Sequence, residues 1–204
     1  MKILGIESSC DDTAIAIYNS DTHNFLQKKH SQINLHCEYG GVVPELASRD
    51  HAQYLLPLLQ QILLDTKLTL KEIDAIAYTA GPGLIGSLLT GASFACTLAY
   101  ATKLPLLRIH HMEGHLLAIN LQKKQVEFPF LGLLISGGHT MLLIAEAFGK
   151  YKILGQTLDD AVGEAFDKTA TLLGLGYPGG DALANLALQS TANNLIFPKP
   201  MTNK

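Results

Sequence analysis

Short apolar runs alternate with polar turns along the chain, and their spacing shifts from strand-like to helix-like and back. Residues 3–7 form an apolar run that ends at Glu7 and meets the polar Ser8-Ser9-Cys10-Asp11-Asp12. Residues 13–18 return as a second strand and 25–33 read as a third, which together predict an antiparallel meander. Residues 36–44, rich in Gly and polar side chains, read as a loop. Leu46, Ala47, Leu55, Leu56, Leu59, Ile62 and Leu63 have helical spacing over 45–65, with Pro57 expected to kink that helix or split it. A buried strand is predicted at 74–78 and a turn at Ala80-Gly81-Pro82-Gly83. A nearly all-apolar helix follows at 84–102, then a strand at 104–109, and a helix opens at His110-His111-Met112-Glu113-Gly114-His115.

The same order restarts after Phe128-Pro129-Phe130. Strands at 131–136 and 140–145 flank Gly137-Gly138, a hairpin signal, and a strand at 151–158 and helices at 161–173 and 181–188 complete the pattern. Strands and helices in this order predict a mixed α/β fold. The chain reads as two similarly built halves, 1–129 and 130–204, with a cleft between them. The second half shows no strand to complete its sheet after the last helix, so a fragment of something longer is expected. The 84–102 helix, with no polar face, should be buried on every side. Its small residues (Gly86, Ser87, Thr90, Gly91, Ser93) suit close approach to the 45–65 helix or to another subunit.

Composition narrows the class. Apolar residues make up 48% and charged residues 16% of 204 positions, which excludes a disordered chain. No uninterrupted apolar run has the length of a membrane span, and Glu7 breaks the stretch that a signal peptide would continue, so a soluble cytoplasmic protein is expected. Cys10, Cys37 and Cys96 are too few and too far apart for a disulfide framework or a thiolate zinc cluster. The net charge of -3 gives no electrostatic footprint for nucleic acid, and Lys28-Lys29, Lys123-Lys124, Lys150, Lys152 and Lys199 are scattered.

Several constellations carry chemistry. His111 and His115, at i and i+4, place two rings on one helix face within reach of one metal ion; a third ligand is needed and none is evident nearby. Glu113 lies about 200° round the helix from His111, so it points away from that face and reads as a solvated or interdomain charge. Ser136-Gly137-Gly138 can aim backbone N–H groups at an anion, and Ser9, Asp11 and Asp12 form a second polar turn. Tyr177-Pro178-Gly179-Gly180 leads into a helix N-terminus. Asp167 is a further candidate, beside Ala165, Phe166 and Ala170, which read as buried, while Glu164 and Lys168 read as a structural pair. Cys10 is the nearest nucleophile candidate and reads rather as filling its turn.

These residues resemble the TsaD/Gcp family of tRNA adenosine threonylcarbamoyltransferases. The resemblance rests on Gly5-Ile6-Glu7-Ser8-Ser9-Cys10-Asp11-Asp12-Thr13, Gly40-Gly41-Val42-Val43-Pro44-Glu45-Leu46-Ala47-Ser48-Arg49, Tyr78-Thr79-Ala80-Gly81-Pro82-Gly83-Leu84, His110-His111-Met112-Glu113-Gly114-His115, Leu134-Ile135-Ser136-Gly137-Gly138-His139-Thr140 and Gly163-Glu164-Ala165-Phe166-Asp167-Lys168, with Tyr177-Pro178-Gly179-Gly180. Ser8 and Asp12 stand where the family often has Thr and Glu. The family continues past residue 204 and supplies there an Asp metal ligand and much of the adenine pocket. The resemblance implies an actin/hexokinase/Hsp70-like (ASKHA) two-lobe fold. It implies transfer of a threonylcarbamoyl group from threonylcarbamoyl-AMP to the exocyclic amine of the tRNA adenosine 3′ of the anticodon. His111 and His115 would hold iron or zinc. Leu134, Ile135, Ser136, Gly137, Gly138, Asp167 and Gly180 would contact the adenylate. The implied partners are tRNA, a catalytically silent paralogue as heterodimer partner and an ATPase accessory subunit, with no membrane.

Other readings are a sugar-kinase-like ATPase, a metallopeptidase and a non-catalytic scaffold. The histidine pair speaks against the kinase, which holds magnesium through oxygen ligands. The position of Glu113 speaks against the peptidase. The scaffold reading is set apart by the same histidines, which the silent paralogue lacks.

Overall fold

The computed structural model describes residues 1–122, 126–191, 196 and 198, so Lys123, Lys124, Lys199 and the terminal 199–204 lie outside the described residues. Strands β1 (Lys2–Glu7), β2 (Asp12–Asn19) and β3 (Asn24–Ser31) form the expected meander. Strands β4 (Ala75–Gly81) and β5 (Leu106–His110) add in parallel, giving the order β3-β2-β1-β4-β5. Alternation sets the buried face: Leu4 and Ile6 of β1 and Thr13, Ile15 and Ile17 of β2 point to one side. There they meet α2 (Pro44–Thr66) and α3 (Ile85–Thr102), which contribute Leu55, Leu58, Leu59, Ile62, Ala95 and Ala99 to one core.

Three local expectations change. The 36–44 segment is not all loop, because α1 (Ile33–Cys37) forms there around the buried His36, whose Nε2 pairs with Gln32 Oε1 at 3.0 Å. The third strand accordingly stops at Ser31. Helix α2 runs unbroken through Pro57, since apolar contacts on both sides (Leu55, Leu58 and Leu59) offset the missing N–H. Helix α3 is long and apolar enough to cross a membrane, yet it is packed on one side only. Its inward stripe is Ser87, Gly91, Ala95 and Ala99, whereas Ile85 (87% exposed), Leu89 (66%) and Tyr100 (90%) face out. The small residues thus serve contact with α2 and the sheet, and the helix is not buried all round.

Helix α4 (His111–Leu117) follows β5 directly and buries Met112 and Leu116. A second sheet, β6 (Phe130–Ile135), β7 (Thr140–Ala147) and β8 (Lys150–Gln156), is antiparallel in sequential order. Its small core joins Leu143 and Ala145 to Leu116 of α4, so α4 serves both sheets. Gly132 permits this approach, because a Cβ there would stand 2.5 Å from Leu116 Cδ1. Helices α5 (Val162–Leu172) and α6 (Gly180–Leu188) pack on each other.

The tightest approach joins β1 to α3. A Cβ on Gly91 would overlap Ser8 Oγ, which donates to the Ser87 carbonyl at 3.0 Å and so has little freedom to move. Gly91→Ala is expected to lower stability by about 1–3 kcal/mol in urea denaturation. Gly114→Ala, where a Cβ meets nothing within 4 Å, should be neutral or stabilising. Equal stability of the two variants would contradict this packing.

Candidate functional site

The parallel strands β1, β4 and β5 end side by side, the usual place for a ligand site in an open α/β sheet. Helix α4 starts there, one residue after β5, and projects His111 and His115 from successive turns. Their Nε2 atoms face each other at 3.2 Å. Two imidazole nitrogens on one tetrahedral zinc ion, each at about 2.0–2.1 Å, stand about 3.3 Å apart, so the pair fits two corners of such a site. Burial first, and the neighbouring His111 second, lower the pKa of His115, which keeps its ring neutral as a ligand must be. Among the described residues no group of three His, Cys, Asp or Glu forms, so the third ligand stays as unassigned as in the sequence.

The other side of His111 is held firmly. Its Nδ1 lies 3.1 Å from Ser9 Oγ and 3.3 Å from Glu7 Oε2. Burial would raise the Glu7 pKa, but hydrogen bonds from His111, Ser9 and Thr79 outweigh it and hold the carboxyl at about 2. Sequence reasoning gave Glu7 no role of its own. The available signal was an acid ending an apolar strand at the carboxyl edge of the sheet.

A cleft of about 190 Å³ brings His115 and Met112 together with Leu133, Leu134, Ile135 and Ser136. His115, one of the two metal-ligand candidates, and three adenylate-contact candidates, Leu134, Ile135 and Ser136, therefore line one cleft. Gly137 and Gly138 continue the β6–β7 turn, closed by Ser136 N–H to the His139 carbonyl at 2.8 Å. The N-terminus of α5 leans on that turn. Gly163 N–H donates to the Ser136 carbonyl at 3.2 Å, and a Cβ on Gly163 would stand 2.7 Å from that oxygen. Gly163 is a second residue that the pattern alone did not single out; its signal was a glycine opening a helix.

Asp167 does not sit in the buried surroundings expected of it. Ala165 and Phe166 are exposed, and only Ala170 of the three is buried. Its role is visible instead in Oδ1, which accepts the N–H groups of Gly179 at 2.9 Å and Gly180 at 3.1 Å and so shapes the 177–180 turn. Cys37 Sγ donates to the Tyr177 carbonyl across 140 positions, tying α1 to this turn. Burial, then Asp11 and Asp167, raise the Tyr177 pKa, which places all three in one neighbourhood.

The polar turn after β1 divides its labour. Ser9 serves His111, Asp11 lies beside the Cys10 thiol, and Asp12 pairs with Lys29 at 2.5 Å. Burial and Asp11 push the Cys10 thiol up to about 12, so it is a poor nucleophile. Glu113 accepts the Tyr151 hydroxyl at 2.6 Å, as an interdomain charge would, and is not poised as a peptidase base. Lys168 pairs with Glu164 at 2.9 Å and with Asp160 at 2.8 Å, an exposed arrangement of small energetic weight.

YeaZ from Pseudomonas aeruginosa superposes with a TM-score of 0.50 at 19% identity, covering 76% of this chain and 65% of that one. A second structure, an uncharacterized protein with similarity to peptidase YeaZ from Pseudomonas aeruginosa, gives 0.50 at 20% identity, covering 76% and 63%. The chain thus spans less than two thirds of the length of these relatives, and the likeness shows the shared ASKHA fold. A family model described as TsaD, tRNA N6-adenosine threonylcarbamoyltransferase, matches residues 25–204. The motifs around the histidine pair, the glycine turn and Asp167 all lie within that match, and the chain belongs to the TsaD family of tRNA-modifying transferases.

Proposed function

We propose that this chain takes part in transferring a threonylcarbamoyl group from threonylcarbamoyl-AMP to the exocyclic amine of the tRNA adenosine 3′ of the anticodon. The observation that carries the reading is the shared cleft wall, on which His115 lies beside the 134–136 strand end. His111 and His115 would hold an iron or zinc ion. When bound, the ion supplies Lewis-acid polarisation of an acyl oxygen. The chain's own groups do the rest. The N–H groups of Gly137 and Gly138 face the adenylate phosphate, where leaving-group charge develops, while the Ser136 N–H closes the turn on the His139 carbonyl. Asp167 holds Gly180 and its turn against the nucleotide, as its two backbone hydrogen bonds support. The tRNA amine attacks the carbonyl directly and AMP departs, so no protein nucleophile is required, in keeping with the protonated Cys10 thiol.

We assign the two lobes to 1–129 and 130–204 and the setting to the cytoplasm. The basic residues are too dispersed to dock tRNA alone, so docking is shared with partner subunits. The outward face of α3 (Ile85, Leu89 and Tyr100) supports a protein partner, which we assign to the silent paralogue, with an ATPase accessory subunit completing the assembly.

Three outcomes test this reading. His111→Ala should remove stoichiometric iron or zinc by elemental analysis and abolish threonine incorporation into tRNA in the reconstituted complex; unchanged metal content would sink the assignment. Gly163→Ala, which displaces the Ser136 turn, should weaken adenylate binding in calorimetry while leaving metal content unchanged. Leu89→Arg should leave the fold intact and prevent heterodimer formation on size-exclusion chromatography, and a surviving complex would remove α3 from the interface.

A further inference from the structure

Glu7 is the one acid on β1, and it ends the strand where the sheet meets α4. Its carboxylate gathers groups from three elements far apart in sequence. Oε1 accepts the Ser9 N–H at 2.5 Å, Oε2 accepts the Thr79 hydroxyl of β4, and Oε2 lies 3.3 Å from His111 Nδ1. Were the carboxylate there only to tie β1 to β4, the Ser9 and Thr79 bonds would suffice. The third contact spans 104 positions and reaches the histidine whose opposite nitrogen faces His115.

The chemistry of the contact fixes a proton. An ionised carboxylate only accepts hydrogen bonds, so the Nδ1 it faces must be the protonated ring nitrogen. A neutral imidazole then carries its lone pair on Nε2. That atom is the one aimed at His115 Nε2, 3.2 Å away. Ser9 Oγ, 3.1 Å from the same Nδ1, is a second contact that limits ring rotation.

We propose that Glu7 is a positioning residue that locks His111 in the Nδ1–H tautomer and in the ring orientation that presents the Nε2 lone pair to a metal ion. The proposal rests on the reading of His111 and His115 as metal ligands. A carboxylate behind a ligating histidine both orients the ring and raises its basicity, and loss of such a partner costs about 10–100-fold in metal affinity.

The test uses the full chain and Zn2+ alone. Glu7→Ala should weaken Zn2+ binding about 10–100-fold in competition with a chromophoric chelator. In the metal-free protein, nitrogen-15 NMR of the imidazoles should show His111 protonated at Nδ1 in the wild type and shifted toward the Nε2–H tautomer in Glu7→Ala. A merely structural role would not move the tautomer. Glu7→Gln keeps an acceptor of the same size and should recover part of both. Should Glu7→Ala fail to fold, Glu7→Gln decides, and its unchanged Zn2+ affinity and tautomer overturn the proposal. Wild-type affinity and tautomer in a folded Glu7→Ala overturn it equally. A wild-type chain that takes up no Zn2+ would refute the metal reading instead, and the tautomer of the metal-free protein would still decide the role of Glu7.

Discussion

The structure depends on one close approach, that of the Ser8–Ser9 turn to the starts of α3 and α4. Ser8 sits against Gly91 and donates to the Ser87 carbonyl. Ser9 accepts the Leu84 N–H through its carbonyl at 2.8 Å, and Gly83 must lack a side chain, since a Cβ would lie 2.5 Å from that oxygen. The same serine turns its hydroxyl to His111. Two glycines and two serines therefore set the entry of one helix and the ring of His111 on the next. This is where packing becomes chemistry: the register of β1 against β4 decides where Glu7 and Ser9 meet α4.

Helix α4 then links the two sheets. Its His115 lines the cleft, Leu116 enters the second core beneath Gly132, and Glu113 binds Tyr151 of β8. A second contact across the chain joins Cys37 to the Tyr177 carbonyl. The cleft itself is lined from α4 by Met112 and His115 and from the β6 end by residues 133–136.

Much of this was legible in the sequence where the signal is local. The meander, the Gly137-Gly138 hairpin, the i, i+4 histidines and the outward turn of Glu113 all follow from periods of two and 3.6 residues. What was not legible depends on tertiary contact. Pro57 leaves α2 whole because the core holds the helix on both sides of it. The small residues of α3 pointed to a helix buried all round, yet they face the sheet while Ile85, Leu89 and Tyr100 face out, a choice no hydropathy pattern makes. Asp12 looked like its neighbours until Lys29 on β3 claimed it. Glu7 gave no sign of its histidine, 104 positions away.

The proposed function turns on His111 and His115 supplying two ligands of one metal centre. X-ray absorption spectroscopy on the zinc- or iron-loaded chain tests it most directly. The expected first shell contains two imidazole nitrogens, at about 2.0–2.1 Å for zinc. A first shell without imidazole scattering, or one unaltered by replacing both histidines, would contradict it.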